Sequence, residues 1–429
     1  MKNRITSLYL LTGLLGFMLL AGYGAAAQDG KGKPIIGTQT VKPYERPKIS
    51  EEQEKDRRYA FELWKEHKDL EALPWMEKLA KAVPDDAQAL EGLAACLLSH
   101  SYTLQDGEQQ KAEQVRVRQL LVQAQKLGYS SDLIETLLTM IPENGAPVVY
   151  SKDAEINRIM KQAEADFSAG KLDGAKQGYF QVLLIDPNNY DAALFLGDVY
   201  FVKKDYSAAG EWFSRTVAIN PNHETAYRYW GDALAKQGKY AEARQKYIEA
   251  VVAEPYTRAS WNGINKWTQF VKQPLAWYKI QSPNALQIKD SKNININIDA
   301  SSLDKKDGSS AWFIYELARA SWVNGGTSFK KEFPNEKEYR HSLKEETQAL
   351  GLVADSAEQA EKEKHEKLND NLKALVKLKH AGFLEAYILF NAADAGIAQD
   401  YQGYRKDHRD KLIQYLNEIV VPPAPKTGN

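Results

Sequence analysis

Between residues 154 and 257 apolar positions recur with the period of an amphipathic helix, and the pattern restarts every 34 residues. Pro187, Pro221 and Pro255 mark the interval. Ala175, Ala209 and Ala243 fall in register on it, as do the aromatics Tyr179, Phe213 and Tyr247. Gly197 matches Gly231, with Ala163 in the first copy. The polar strings at 170–173, 203–206 and 238–241 coincide as turns. Each copy therefore predicts two short helices joined by a polar turn. The small residues sit where the helices must approach closely. The aromatics fill the space between successive pairs. The Pro ends the second helix, because it has no N–H to continue the ladder.

Three copies matching at these positions resemble the tetratricopeptide repeat, with units at 156–189, 190–223 and 224–257. The resemblance implies an all-α fold: a superhelix of stacked helix pairs, with a preformed groove that holds part of another protein. Upstream, residues 51–150 read as the same architecture in degenerate form. Ala60, Ala72 and Pro84 keep the motif spacing, and Phe61, Trp64, Leu73, Met76, Leu79 and Val83 give helical periodicity. Further helices are predicted at 87–100, 109–127 and 131–141. Residues 28–50, polar with scattered Pro and Gly, read as a flexible linker.

The register is lost from residue 258, and 258–429 reads as a separate C-terminal helical domain matching no family of known activity. Helices are predicted at 259–272, 309–323, 335–355, 357–379, 381–395 and 400–419. Near 286–299, Ile294, Ile296 and Ile298 alternate with Asn in the period of a strand, and Leu286 and Ile288 supply the other half of a small β-hairpin. The charge run Glu358 to Lys367 predicts a solvated helix face with opposite charges three and four apart. Residues 420–425 predict a frayed tail.

The N-terminus changes the expected compartment. Lys2 and Arg4 precede an apolar run from Leu8 to Leu20, and Ala25-Ala26-Ala27 supplies small residues before Gln28. This order predicts a signal peptide over 1–27, cleaved after Ala27, and a periplasmic or secreted product. An uncleaved leader would be its only membrane contact. The chain has 429 residues, with 56 basic and 57 acidic, so no bulk positive field draws nucleic acid. One cysteine, Cys96, excludes an intramolecular disulfide framework and a Cys-based metal site. Its apolar helical surroundings predict a buried, inert thiol.

Three sites carry candidate chemistry. In tetratricopeptide proteins the first helix of each pair lines the concave surface, which the resemblance carries here to Glu164, Asp198 and Asp232, one per repeat. One turn on lie Phe167, Phe201 and Ala235; one turn before lie Met160, Leu194 and Arg228. Carboxylates stand where the carboxylate-clamp members of the family present Lys and Asn. Such a ridge repels a terminal carboxylate and favours an amine, Lys or Arg. The plainer reading is that an Asp after Gly is simply solvated. A second candidate is the cluster Trp261, Trp267, Trp277, Trp312 and Trp322, whose faces could stack on sugar rings of a glycan or cell wall, although Trp is more often core. The third is Glu338, His341 and Glu345 on one helix face beside Glu346, a weak zinc or acid/base constellation for a hydrolase. His408 with Asp407 and Asp410 is similar. Both read more plainly as solvated faces. No catalytic motif is present, so no catalytic, metal or cofactor residue is assigned. The sequence reads as an exported, non-catalytic scaffold binding a protein segment.

Overall fold

The computed structural model describes residues 44–282, 305–323 and 327–423 apart from positions 66–67, 102, 105, 130, 132, 135–136, 139–140, 146–148 and 169, together with two short strand pairs. In those pairs β1 (Gln28–Asp29) runs antiparallel to β2 (Lys33–Pro34), and β3 (Leu286–Ile288) antiparallel to β4 (Ile294–Ile296). The expected leader, residues 1–27, and residues from 424 lie outside the described residues; of the tail expected to fray from 420, Val420 and Val421 are instead buried. Among the described residues no helix is long and apolar enough to cross a membrane. The chain divides into two compact units: Gln39–Glu254 with Arg258–Gly263, and Pro255–Thr257 with Ile264–Asn429.

The first unit opens with α1 (Glu51–Lys65), α2 (Asp69–Ala82), α3 (Ala87–Ser101) and α4 (Gly107–Lys126). Each packs on the next. Helix α3 is apolar nearly all round and is buried along most of its length, as the central member of such a layer must be. Its Cys96 is fully buried, and burial pushes the thiol well above its ordinary range. The buried Asp86 joins the layers: it takes the Arg57 Nε–H at 2.8 Å and the Ala89 N–H at 3.1 Å. Of the helix predicted at 131–141, only 133–134 and 137–138 are described as helical. Of the stretch 28–50 read as a flexible linker, the continuously described part begins at Tyr44. That side chain donates to Asp86 at 3.2 Å and sits edge-on to Tyr129, and Ser50 and Gln53 then cap α1 reciprocally.

The 34-residue units form three helix pairs: α5 (Ala154–Ser168) with α6 (Leu172–Ile185), α7 (Tyr190–Val202) with α8 (Tyr206–Ile219), and α9 (Glu224–Lys236) with α10 (Tyr240–Ala253). The close approach falls where the small residues are. A Cβ on Gly197 would lie 2.3 Å from the Phe213 ring, and one on Gly231 2.4 Å from the Tyr247 ring. Asp153, Asn189 and Asp205 cap the starts of α5, α7 and α8. The turn within each pair places residues 170, 204 and 238 in the left-handed region, where glycine is at ease; the middle copy holds Lys204 there at φ 63°. Helix α11 (Arg258–Val271) follows, its Gly263 against the Tyr247 ring.

The second unit holds α12 (Trp312–Val323), α13 (Thr327–Glu332), α14 (Leu343–Lys364), α15 (Asp370–His380), α16 (Leu384–Tyr387) running into a π turn to Ala392, and α17 (Tyr401–Tyr415) running into a π turn to Val420. Two boundaries differ from expectation. The helix predicted from 335 starts at Leu343, where Ser342 in extended backbone accepts the Glu345 N–H at 3.2 Å. The helix predicted over 357–379 is two helices, interrupted by His365 at φ 54° and restarted by the Asn369 cap. The charge run 358–367 therefore ends one helix and continues into a loop rather than lining a single face. The core of this unit includes Val353, Leu375, Phe390 and Tyr415, the last two stacked at 6.0 Å.

Candidate protein-binding groove

Each of the three first helices carries a carboxylate directly after the small residue that packs against the second helix. The helix pairing therefore carries each carboxylate toward the aromatic fifteen residues later. Glu164, half-buried, accepts the Tyr179 hydroxyl. Asp232, 7% exposed, accepts the Tyr247 hydroxyl at 2.8 Å. In the middle repeat the equivalent aromatic is Phe213, which has no hydroxyl. Asp198, 8% exposed, keeps its Oδ1 buried with no hydrogen-bond partner.

Burial sets the electrostatics. It raises the Glu164 carboxyl to about 7, against the Tyr179 hydrogen bond, with Asp191 adding to the rise. It holds Asp198 well above the usual carboxylate range, reinforced by the charge of Glu164 and opposed by Arg228. The expected acidic ridge thus carries less charge than three exposed carboxylates would. The solvated reading of these aspartates is also corrected, since both Asp198 and Asp232 are buried. Arg228 is not a free cation: its Nε and Nη2 donate to Glu224 at 2.8 and 3.0 Å, and its guanidinium lies over the Tyr229 ring.

The apolar row sits deeper than expected. Met160 has no exposed surface, and Leu194 and Phe167 are buried, so these three back the groove from the core. Phe201 and Ala235 are half-buried, Phe201 edge-on to Tyr206 at 5.2 Å. The sequence reading missed Tyr179 and Tyr247 as partners of the carboxylates, and Phe213 as the ring that withholds one. Their signal was the constant spacing of fifteen residues in all three copies.

The other candidates resolve differently. His341 lies outside α14 and shares no helix face with Glu338, which is exposed. Its imidazole bridges Asp394 at 2.8 Å and Glu346 at 3.0 Å, while Glu345 takes Tyr339 at 2.9 Å and Arg319 at 3.2 Å. Burial alone would lower the His341 pKa; the hydrogen bonds to the two carboxylates raise it to about 9. Among the described residues no group of three His, Cys, Asp or Glu side chains is placed to hold a metal ion. His408, Asp407 and Asp410 are exposed. Trp261, Trp267 and Trp322 are buried, Trp267 donating to the Pro422 carbonyl at 3.0 Å. Trp312 is half-buried. Trp277, also half-buried, lines a shallow cleft of about 510 Å³ with Tyr278, Lys279, Asn371, Lys373 and Lys377.

This geometry defines a helical-repeat protein whose middle section is a run of stacked helix pairs. Those pairs, at 156–257, are tetratricopeptide repeats, and the family model for anaphase-promoting complex, cyclosome, subunit 3 matches residues 176–250. Solved structures similar to the chain include the first tetratricopeptide domain of Spaghetti (RPAP3) bound to an HSP90 peptide, 23% identical over 29% of this chain and 100% of that one, with a TM-score of 0.27. The MamA protein is 16% identical over 50% of this chain and 97% of its own, at 0.24. The P58(IPK) repeat domain is 10% identical over 77% and 99%, at 0.24. No curated protein matches the chain.

Proposed function

We propose that this protein is an exported, non-catalytic scaffold that binds a segment of a partner protein along the first helices of its tetratricopeptide repeats. The observation that carries the reading is the alignment of Glu164, Asp198 and Asp232 on equivalent faces of three successive first helices, built on a rigid core. A surface ordered before the partner arrives binds without the cost of ordering itself. Carboxyl groups along it favour a segment bearing amine, Lys or Arg groups. Export rests on the charged, apolar and small-residue order of residues 1–27.

The test is crosslinking of the tagged full chain in its native cells, followed by mass spectrometry, beside an Asp198→Asn chain whose helicity is verified. A defined partner, depleted in the variant, is the expected result. Equal recovery by both chains would remove Asp198 from the binding surface, and capture of no defined partner would remove the groove reading. Sequencing of the mature N-terminus checks export: it begins at Gln28 if the leader is cleaved as proposed.

A second reading draws on the cleft at Trp277. Two aromatic rings beside Lys279 and Lys377, with Lys373 paired to Asp370 at 3.6 Å, suit an anionic glycan or cell-wall polymer. Binding of the full chain to insoluble peptidoglycan, lost in Trp277→Ala at unchanged helicity, would favour it. No binding would dismiss it.

A further inference from the structure

We infer that Asp198 is the specificity anchor of the groove, accepting a hydrogen bond from one protonated nitrogen of the bound segment, a lysine ammonium or an arginine guanidinium. The inference rests on the groove reading above and narrows it from three carboxylates to one.

At the groove carboxylates the middle repeat differs from its neighbours in one hydrogen bond. In the first and third, the groove carboxylate is satisfied internally, Glu164 by Tyr179 and Asp232 by Tyr247. In the second, the ring that occupies the same place is Phe213. It lies 2.3 Å from a Cβ built on Gly197, as Tyr247 lies 2.4 Å from one on Gly231, so the rings are placed alike and only the hydroxyl is missing. Asp198 is more than nine-tenths buried and its Oδ1 has no partner. A buried acceptor left open is costly, and protein interiors seldom tolerate one without a reason. A donor arriving with the ligand would complete it.

The surroundings favour a cationic donor over a neutral one. Glu164 from the first repeat and Arg228 from the third act on Asp198 with opposite sign, and burial and, in turn, the Asp198 charge raise the Tyr179 and Tyr229 phenols. Arg228 is committed to Glu224 through two hydrogen bonds and makes none to Asp198. Burial and the Glu164 charge hold the Asp198 carboxyl toward its uncharged form. A cation reverses that balance, because an opposite charge within a few ångströms favours the carboxylate. The charge is thus formed when the ligand brings its own, which discriminates against segments that bring none.

The probe is a randomised library of capped peptides whose central residue is fixed as Lys, Arg, norleucine or Glu, screened against the full chain. The wild type is expected to retain Lys or Arg peptides about tenfold more than their norleucine counterparts. Asp198→Asn removes the charge at nearly constant shape, and Phe213→Tyr supplies the missing internal donor. Both are expected to abolish the preference, with helicity unchanged. A preference that persists in both variants overturns the inference. Wild-type retention of peptides without regard to the central residue overturns it while leaving the groove reading in place. Retention of no peptide class overturns both.

Discussion

Reciprocal substitutions at positions 213 and 247 test the repeat chemistry by the sign of their effects. Tyr247→Phe deletes the hydroxyl that donates to Asp232 at 2.8 Å in a buried setting. Hydrogen bonds to carboxylates contribute about 1.5–3 kcal/mol, and the acceptor loses that donor, so the loss falls in that range. The ring stays, so no packing term is added. Phe213→Tyr makes the opposite change. It places a hydroxyl where Tyr179 and Tyr247 hold theirs and gives Asp198 Oδ1 a donor. Relief of a buried unsatisfied acceptor stabilises by about 1–3 kcal/mol. The assay is native-state hydrogen exchange on the full chain, read over residues 190–253, because a two-unit chain need not unfold in one step. Protection should fall in Tyr247→Phe and rise in Phe213→Tyr. Loss of protection in both would show that position 213 cannot accommodate the hydroxyl and would refute the argument from equivalent rings.

Three further outcomes follow. His341 titrates at about 9 in the fold against an ordinary 6.5, so its contribution of about 3 kcal/mol is complete below pH 6.5 and is lost as pH rises through 9. Hydrogen exchange around α14 should show that slope, and His341→Gln should flatten it. Lys204 occupies a left-handed turn position that the flanking repeats give to Gly170 and Gly238; Lys204→Gly should stabilise by about 1 kcal/mol, read by urea denaturation. Cys96 is buried with its thiol pushed far above its usual range, so it should resist a thiol reagent in the native chain and react once urea exposes it.

The helix pairs were legible in the sequence because one interval fixed many positions at once. Pro, Ala, aromatic and Gly recur at 34 residues, and each has one structural use. The C-terminal unit lacks such redundancy, and single local signals were outvoted by spacing. His341 stands at helical spacing from Glu338 and Glu345, yet Ser342 and Glu345 form a helix start that a capping rule identifies. Arg340, held by Glu336 and Asp400, fixes the approach to that start. The groove was legible as positions but not as chemistry. Sequence spacing placed Asp198 on the first helix, whereas its burial and its unpartnered oxygen depend on what packs around it. The difference between Phe213 and its two tyrosine counterparts was in plain view, and only the paired hydroxyls gave it meaning.

The most direct test of the central claim is site-specific photocrosslinking in living cells. A photoreactive phenylalanine analogue at Phe201, half-buried on the first helix of the middle repeat, is compared with one at Leu184, which is exposed on a second helix. Binding along the first helices predicts that position 201 captures a defined protein segment bearing Lys or Arg, and that Asp198→Asn removes the product. Equal capture of that segment from position 184, or capture at 201 that survives Asp198→Asn, would contradict the account.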